Sequence, residues 1–292
     1  MRATAIAQPN IALIKYWGKR DTNLNLPAVG SISITLSDLF TRMSVETDAS
    51  LTDDVLLVNG REAQQMLPRI SRCLDSIGGS ERPKFRIDSD CNFPIAAGLA
   101  SSASSFAALV VAADAALDLR LDREALVSLA GRASGSAARS LMGGYVELMN
   151  LDDDIAVNQL LGPEDWPLAV VVAITAAGPK PIGSGAAMEI SRKTSPFFDR
   201  WIEQQAADLD AARSAVADRD LAKLGDVAEH NCFKMHSFMW VSRPPIVYWN
   251  SGTLACIETI RELQAGGNAV FFTIDAGPQV KSVCLHGDAA LV

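Results

Sequence analysis

Cysteine and histidine are scarce and scattered in this chain. The five cysteines, Cys73, Cys91, Cys232, Cys256 and Cys284, form no Cys-x-x-Cys pair, and His230, His236 and His286 share no ligand spacing with them. No metal site is expected from that pattern, and the thiols read as the reduced thiols of a cytoplasmic protein. Long apolar runs are missing too. Met1 to Pro9 lacks the apolar stretch of a signal peptide, and the Ala/Val-rich segment after Phe106 is interrupted by Asp114 and Asp118, so no membrane association is expected. Neither a P-loop ending in Gly-Lys-Ser/Thr nor a Gly-x-Gly-x-x-Gly fingerprint is present. Internal repeats and low-complexity linkers are also absent.

Positive charge is in deficit, with a formal net charge of −8, which argues against a nucleic-acid partner. An anionic ligand would therefore need a local basic cluster. One exists where the apolar run Ile11 to Ile14 meets Lys15, Lys19 and Arg20. Lys15 stands between Ile14 and Tyr16, a costly place for an ammonium unless it is paired. With 292 residues, 49% of them hydrophobic, the chain can hold two lobes sharing a cleft or one large α/β domain.

The segment Pro94 to Ser105 is small, hydroxyl-rich and runs straight into a strong helix former. Such a loop can converge backbone N–H groups on an anion at the positive end of a helix dipole. Gly98 would permit the tight backbone, and Ser101, Ser102 and Ser104 would offer hydroxyls to phosphate or to a magnesium shell. A plain Ala/Ser helix start is the alternative reading.

Short strands are expected over 3–8 and 11–16, clean alternation predicts a strand with one wet face over Ser31–Leu36, and Phe40–Glu46 and Val55–Val58 continue the sheet to a turn at Asn59-Gly60. Met66, Ile70, Cys73, Leu74 and Ile77 form a helical stripe starting near Pro68 and closed by Gly78-Gly79. Phe85 and Ile87 mark a strand leading into the cradle. Residues 102–117 are apolar nearly all round, which predicts a buried helix, and Asp122 caps the next one. Arg139 is the one strong charge in Ser134 to Ser140, a setting that suits a fork onto carboxylate or phosphate. A strand follows over Tyr145–Met149. Further on, Leu168–Ala176 reads as a core strand and Lys180–Met188 as a Gly/Ser loop. Helices are expected from Phe198, from Asp220 to about Phe238 and from about Val247 to Gln264. The strands Asn268–Ile274 and Val280–Leu285 flank Asp275-Ala-Gly-Pro278.

Four of these segments carry a resemblance. Ala7-Gln-Pro-Asn-Ile-Ala-Leu-Ile-Lys-Tyr-Trp-Gly-Lys-Arg-Asp21, Asn92-Phe-Pro-Ile-Ala-Ala-Gly-Leu-Ala-Ser-Ser-Ala103, Ser134-Gly-Ser-Ala-Ala-Arg-Ser140 and Ile274-Asp-Ala-Gly-Pro278 resemble, in order, the motifs of mevalonate diphosphate decarboxylases. The second alone is similar to the ATP loop of the wider GHMP kinase superfamily. The resemblance implies an α+β, GHMP-kinase-like two-lobed fold with a shared ATP/substrate cleft. Its N-terminal ATP-binding lobe would cover 1–165 and its C-terminal lobe 166–292. The implied activity is ATP- and Mg2+-dependent decarboxylation of mevalonate 5-diphosphate by a cytoplasmic homodimer acting on a small phosphorylated molecule.

By the same resemblance Asp275, Arg139 and Lys15 are the catalytic residues. Tyr16, Trp17, Gly18, Lys19 and Arg69 bind or frame the substrate, with Ser134, Gly135, Ser136, Ala137 and Ala138 opposite and Ser184 and Met188 at the diphosphate. Ser89, Asn92, Gly98, Leu99, Ser101, Ser102 and Ala103 form the ATP side. His236 matches a family position, with a packed helix histidine as the other reading. Two positions depart from the pattern: Gly185 stands where relatives often carry Arg or Thr, and Pro181 replaces a lysine of some bacterial members. The chain also closes soon after Leu285, sooner than most relatives. A phosphomevalonate decarboxylase, a mevalonate 3-kinase and a non-catalytic protein on the same scaffold are the rival readings.

Overall fold

The short strands expected in the first half pair into sheets. The computed structural model of the chain describes residues 1–93, 101–178 and 180–292. In order, the strands are β1 (Arg2–Ala7), β2 (Asn10–Ile14), β3 (Lys19–Asp21), β4 (Leu26–Pro27), β5 (Ser31–Thr35), β6 (Thr41–Thr47), β7 (Val55–Val58) and β8 (Arg61–Glu62). Then come α1 (Leu67–Gly78), β9 (Phe85–Cys91), α2 (Ser101–Leu117) and α3 (Arg123–Ala133). A 3-10 turn over Ala137–Leu141 leads into β10 (Tyr145–Asn150) and β11 (Ile155–Leu161). The rest is β12 (Leu168–Ala173), α4 (Ser184–Thr194), α5 (Phe198–Asp218), α6 (Leu221–Trp240), α7 (Ser251–Ala265), β13 (Val270–Ile274) and β14 (Val280–Leu285).

Three main sheets result, ordered β1-β6-β9-β7-β8, β11-β10-β5-β2 and β12-β14-β13. Helix α2 is buried as its composition demands. Phe106, Leu109 and Val110 pack with Met43 and Val45 of the first sheet and with Ile70 and Leu74 of α1. Each such side chain taken out of water contributes about 1.5–3 kcal/mol. The four-stranded sheet turns its other residues toward the C-terminal half: Ile11, Leu13 and Ile32 share a core with Leu209 of α5, Val227 of α6 and Phe271 of β13. One core therefore crosses residue 165 and carries β2 and β13, the two strands whose ends matter below.

Several expectations need correction. The strand expected over Leu168–Ala176 ends at Ala173, and as a sheet edge it is half-buried rather than core. Beyond it Thr175 and Ala176 leave the ladder to donate to the Gln279 side chain. The Gly/Ser loop at Lys180–Met188 is cut short, because α4 begins at Ser184 despite Gly185. The third late helix starts at Ser251, not Val247, since Asn250 and Thr253 form a reciprocal capping box there. Met66 precedes α1 and is exposed, so the buried stripe is Ile70, Cys73 and Leu74.

Candidate active site

Between the two halves lies a cleft of about 1840 Å³, lined by eight Lys and Arg side chains against three carboxylates. For a chain of net charge −8 that is a concentrated basic site, suited to a multiply charged anion.

Its floor is built by strand ends. Lys15 follows β2 and is 1% exposed, while Asp275 follows β13, where the Asp275 carbonyl accepts from Gly277 N at 2.7 Å in a tight turn. The Lys15 ammonium meets Asp275 Oδ1 at 2.7 Å and also donates to the Ala12 carbonyl at 2.8 Å. Asp275 Oδ2 lies 3.2 Å from Nζ of Lys281, a fully buried lysine on β14. Burial alone would raise the Asp275 pKa, but Lys15 and then Lys281 outweigh it and hold the carboxyl well below the ordinary range. The Lys15 backbone is clamped from behind: its N–H donates to Asn231 Oδ1 at 2.8 Å and its carbonyl accepts from Gln205 Nε2 at 2.9 Å.

Arg139 is 1% exposed and forks onto neutral partners, with Nε donating to Ser33 Oγ at 2.9 Å, Nη2 to Asn10 Oδ1 at 3.0 Å, and Nη1 to Ser31 Oγ. Among the described residues no carboxylate side chain is bonded to it. Burial lowers its pKa to about 10, opposed by Asp275 and Tyr16. The Tyr16 hydroxyl is buried with no partner among the described residues, and burial pushes its pKa up to about 12, so it stays a neutral donor. Gly135 makes room for it, since a Cβ there would stand 2.2 Å from that hydroxyl.

At one side Lys19 and Arg69 face each other. Burial and then Arg69 lower the Lys19 pKa. Arg69 lies over the Phe106 ring at 4.5 Å and donates to the Ala133 carbonyl at 2.9 Å, which explains a cation in the first turn of a helix. Ser101 and Ser102 of α2 line the same cleft with Ser134 and Ser136. Ser184 and Met188 do so from α4, whose N-terminal turn also faces in. Lys180 donates to Ser184 Oγ at 2.6 Å and to the Ala276 carbonyl at 2.8 Å.

Other expected positions fall elsewhere. Gly98 and Leu99 lie outside the described residues. Ser89 is buried within β9, and the Asn92 side chain ties the Phe40 amide to the Asp38 carbonyl, so neither lines the cleft. Ala103, Ala137 and Ala138 are fully buried behind its wall. Gly18 packs on Phe198 at φ +92°, a conformation suited to glycine, and also stands outside the wall. Trp17 touches the cleft but is 1% exposed, its indole N–H donating to Ser191 Oγ at 2.9 Å. His236 is the packed helix histidine, its Nε2 donating to the Ile274 carbonyl at 3.3 Å.

Sequence reasoning did not single out Arg72, Arg123 and Arg132, which line the cleft, nor two lysines close to its floor. Lys281 hides in the short strand Val280–Leu285, which is buried on both faces, and a lone lysine among mostly apolar residues was the available signal. Lys180 sits at the start of what read as a loop.

The donor set fits a nucleotide with magnesium. Hydroxyls at the first turn of α2, with no acidic side chain in that turn, suit phosphate oxygens. Among the described residues no group of three His, Cys, Asp or Glu could hold a metal, which suits an ion carried mainly on phosphate and water oxygens.

Comparison with known proteins agrees. Residues 7–156 match the family model described as diphosphomevalonate decarboxylase-like N-terminal domain, and 170–289 match mevalonate 5-diphosphate decarboxylase C-terminal domain. The chain is 35% identical to the diphosphomevalonate decarboxylase of Candida albicans, over 94% of this chain and 82% of that protein. It superposes on the Staphylococcus aureus mevalonate diphosphate decarboxylase with TM-score 0.92 at 35% identity, covering 100% of this chain and 90% of the other. A solved complex of MDDEF with MVAPP, AMPPCP and magnesium matches with TM-score 0.93 at 33% identity, covering 100% and 91%.

Proposed function

The chain belongs to the diphosphomevalonate decarboxylase family, and from that premise we infer which of its residues carry the reaction. It is an ATP- and Mg2+-dependent decarboxylase with the GHMP-kinase-like α+β fold, converting mevalonate 5-diphosphate to isopentenyl diphosphate, ADP, phosphate and carbon dioxide. The observation that supports the site assignment most is the ionised Asp275 opening into a basic cleft between two lysines.

ATP supplies the phosphoryl group that turns the tertiary 3-hydroxyl into a leaving group, and bound magnesium would screen the phosphate charge. Ser101 and Ser102 would hold that end, while Lys19, beside Arg69, would face the substrate. Asp275 accepts the hydrogen bond of the 3-hydroxyl and aims its oxygen. Its depressed pKa makes it a weak base, so it orients the hydroxyl first and takes the proton only as the new oxygen–phosphorus bond forms. Arg139, carrying charge without a side-chain carboxylate bonded to it, and Lys15 offset the negative charge that builds as the carbon–oxygen bond breaks. The electron pair of the carbon–carboxylate bond then forms the double bond, and carbon dioxide leaves. Tyr16, Arg69, Ser134 and Ser136 position the substrate, with Ser184 and Met188 at its other flank.

A boundary near residue 165, a homodimer and a cytoplasmic location belong to the same proposal. All five cysteines are unpaired, which supports a reducing compartment, and the dimer rests on the family resemblance. Light scattering in solution tests the dimer. The activity is tested by following ADP and carbon dioxide together from mevalonate 5-diphosphate and, separately, from the 5-monophosphate. Equal amounts of both products, with the diphosphate preferred, are expected. ADP without carbon dioxide would instead indicate a 3-kinase.

A further inference from the structure

Lys281 occupies a position where an apolar residue would be cheaper. It is 0% exposed in the middle of the three-stranded sheet, opposite Val172 on one side and Thr273 on the other. Its ammonium makes no regular hydrogen bond, and its one acidic partner among the described residues is Asp275 Oδ2 at 3.2 Å. A buried ammonium costs several kcal/mol unless it is compensated. It does not line the cleft, so any effect on the reaction passes through Asp275.

Lys15 already pairs with Asp275 and lines the cleft, so its ammonium is the one of the two that a bound anion can share with that carboxylate. Lys281 cannot turn away, because its strand and its burial fix it. We propose that Lys281 is a positioning residue: from behind the cleft floor it holds the second oxygen of Asp275, keeping that carboxylate ionised and in one orientation while Lys15 engages substrate. This rests on the reading of Asp275 as the group that meets the substrate hydroxyl. Other groups bear on Asp275 as well: Arg139 from the 3-10 turn, Lys180 from the segment before α4, and Cys232 and His236 from α6. Of the cations among these, Lys281 alone with Lys15 is within ion-pair distance.

The test is Lys281→Met, which keeps the volume and removes the charge. Turnover should fall roughly 10- to 100-fold, with both KM values within about threefold of wild type. The acid limb of the pH–rate profile should move up by about one unit or more, because Asp275 loses one of two adjacent positive charges. A second variant, Lys281→Ala, leaves a cavity, and added ethylammonium should restore part of its turnover. Unchanged turnover, or reduced turnover with an unshifted acid limb and no amine rescue, would overturn the proposal and leave Lys281 a packing residue. Carbon-13 NMR titration of the Asp275 carboxyl in ligand-free protein, assigned with Asp275→Asn, separates this from the activity. A higher Asp275 pKa in Lys281→Met supports the coupling even if wild type does not release carbon dioxide, and an unmoved pKa refutes it.

Discussion

A Cβ on Gly135 would stand 2.2 Å from the Tyr16 hydroxyl, so the two residues fit only because one of them has no side chain. The phenol is buried without a partner among the described residues, which leaves its O–H to donate to a bound anion. Gly135→Ala should push Tyr16 aside. Losing one hydrogen bond to a charged group costs about 1.5–3 kcal/mol, so the KM for mevalonate 5-diphosphate should rise roughly tenfold or more while that for ATP changes little. Steady-state kinetics with each substrate varied in turn checks this. An equal rise in both would detach Tyr16 from the substrate end.

Lys15 depends on α6 for its place. Asn231 accepts from the Lys15 amide and donates to Gln205 Oε1 at 3.0 Å and to Asp208 Oδ2 at 2.5 Å. Asn231→Ala would orphan a buried N–H, at a cost of about 1–3 kcal/mol. Both the urea midpoint and the turnover per folded molecule should drop, because the strand end carrying Lys15 loosens. Lower stability with full turnover would mean that Ala12, Asp275 and Gln205 hold Lys15 without Asn231.

Lys15 and Asp275 were legible because residues that bear chemistry stood at the ends of apolar strands, within motifs. Lys281 was not, since period-two alternation shows which residues share a face but not that β13 and β14 bring position 281 against position 275. Helix α4 was hidden by Gly183 and Gly185, whose low helix propensity is outweighed by burial of Ala187, Met188 and Ser191. Arg139 was legible as a lone charge among small residues, yet its neutral partners come from β2 and β5, more than a hundred residues away. Strand registry, rather than composition, supplied what was missed.

His236 sets an acid-side stability slope. Burial first, and to a lesser degree Lys15, lower its pKa to about 3, against the Ile274 carbonyl and Asp275. In the unfolded chain a histidine titrates near about 6.5. Between those values the unfolded state holds a proton that the folded state lacks, so stability falls as pH falls, by up to about 1.4 kcal/mol per unit. Calorimetry should show the melting temperature declining below about pH 6.5 and a shallower decline in His236→Gln. Parallel slopes would assign the acid loss to carboxylates instead.

Asp275→Asn keeps the size of the side chain and removes its charge, leaving Lys15 and Lys281 facing each other uncompensated. Breaking a buried ion pair costs about 3–5 kcal/mol, and the 26% exposure of Asp275 argues for the lower end of that range or less. The sign of the pH dependence follows from the depressed pKa. The stabilisation is complete above the unfolded value near about 3.9 and is lost only as pH falls through the lower folded value. The stability gap between wild type and variant should therefore stay constant from about pH 5 upward as far as Asp275 itself is concerned. Turnover should fall by roughly 10²-fold or more, because the amide can neither take the proton nor present the same charge to the hydroxyl. ATP affinity should change far less, as a nearby carboxylate gives a bound polyphosphate nothing. Reduced stability alone does not establish the role, since a purely structural ion pair would show it too. The deciding quantity is kcat per folded molecule, measured beside the melting temperature on one preparation. A folded Asp275→Asn protein with near-normal kcat would remove Asp275, and with it the positioning role of Lys281, from the mechanism.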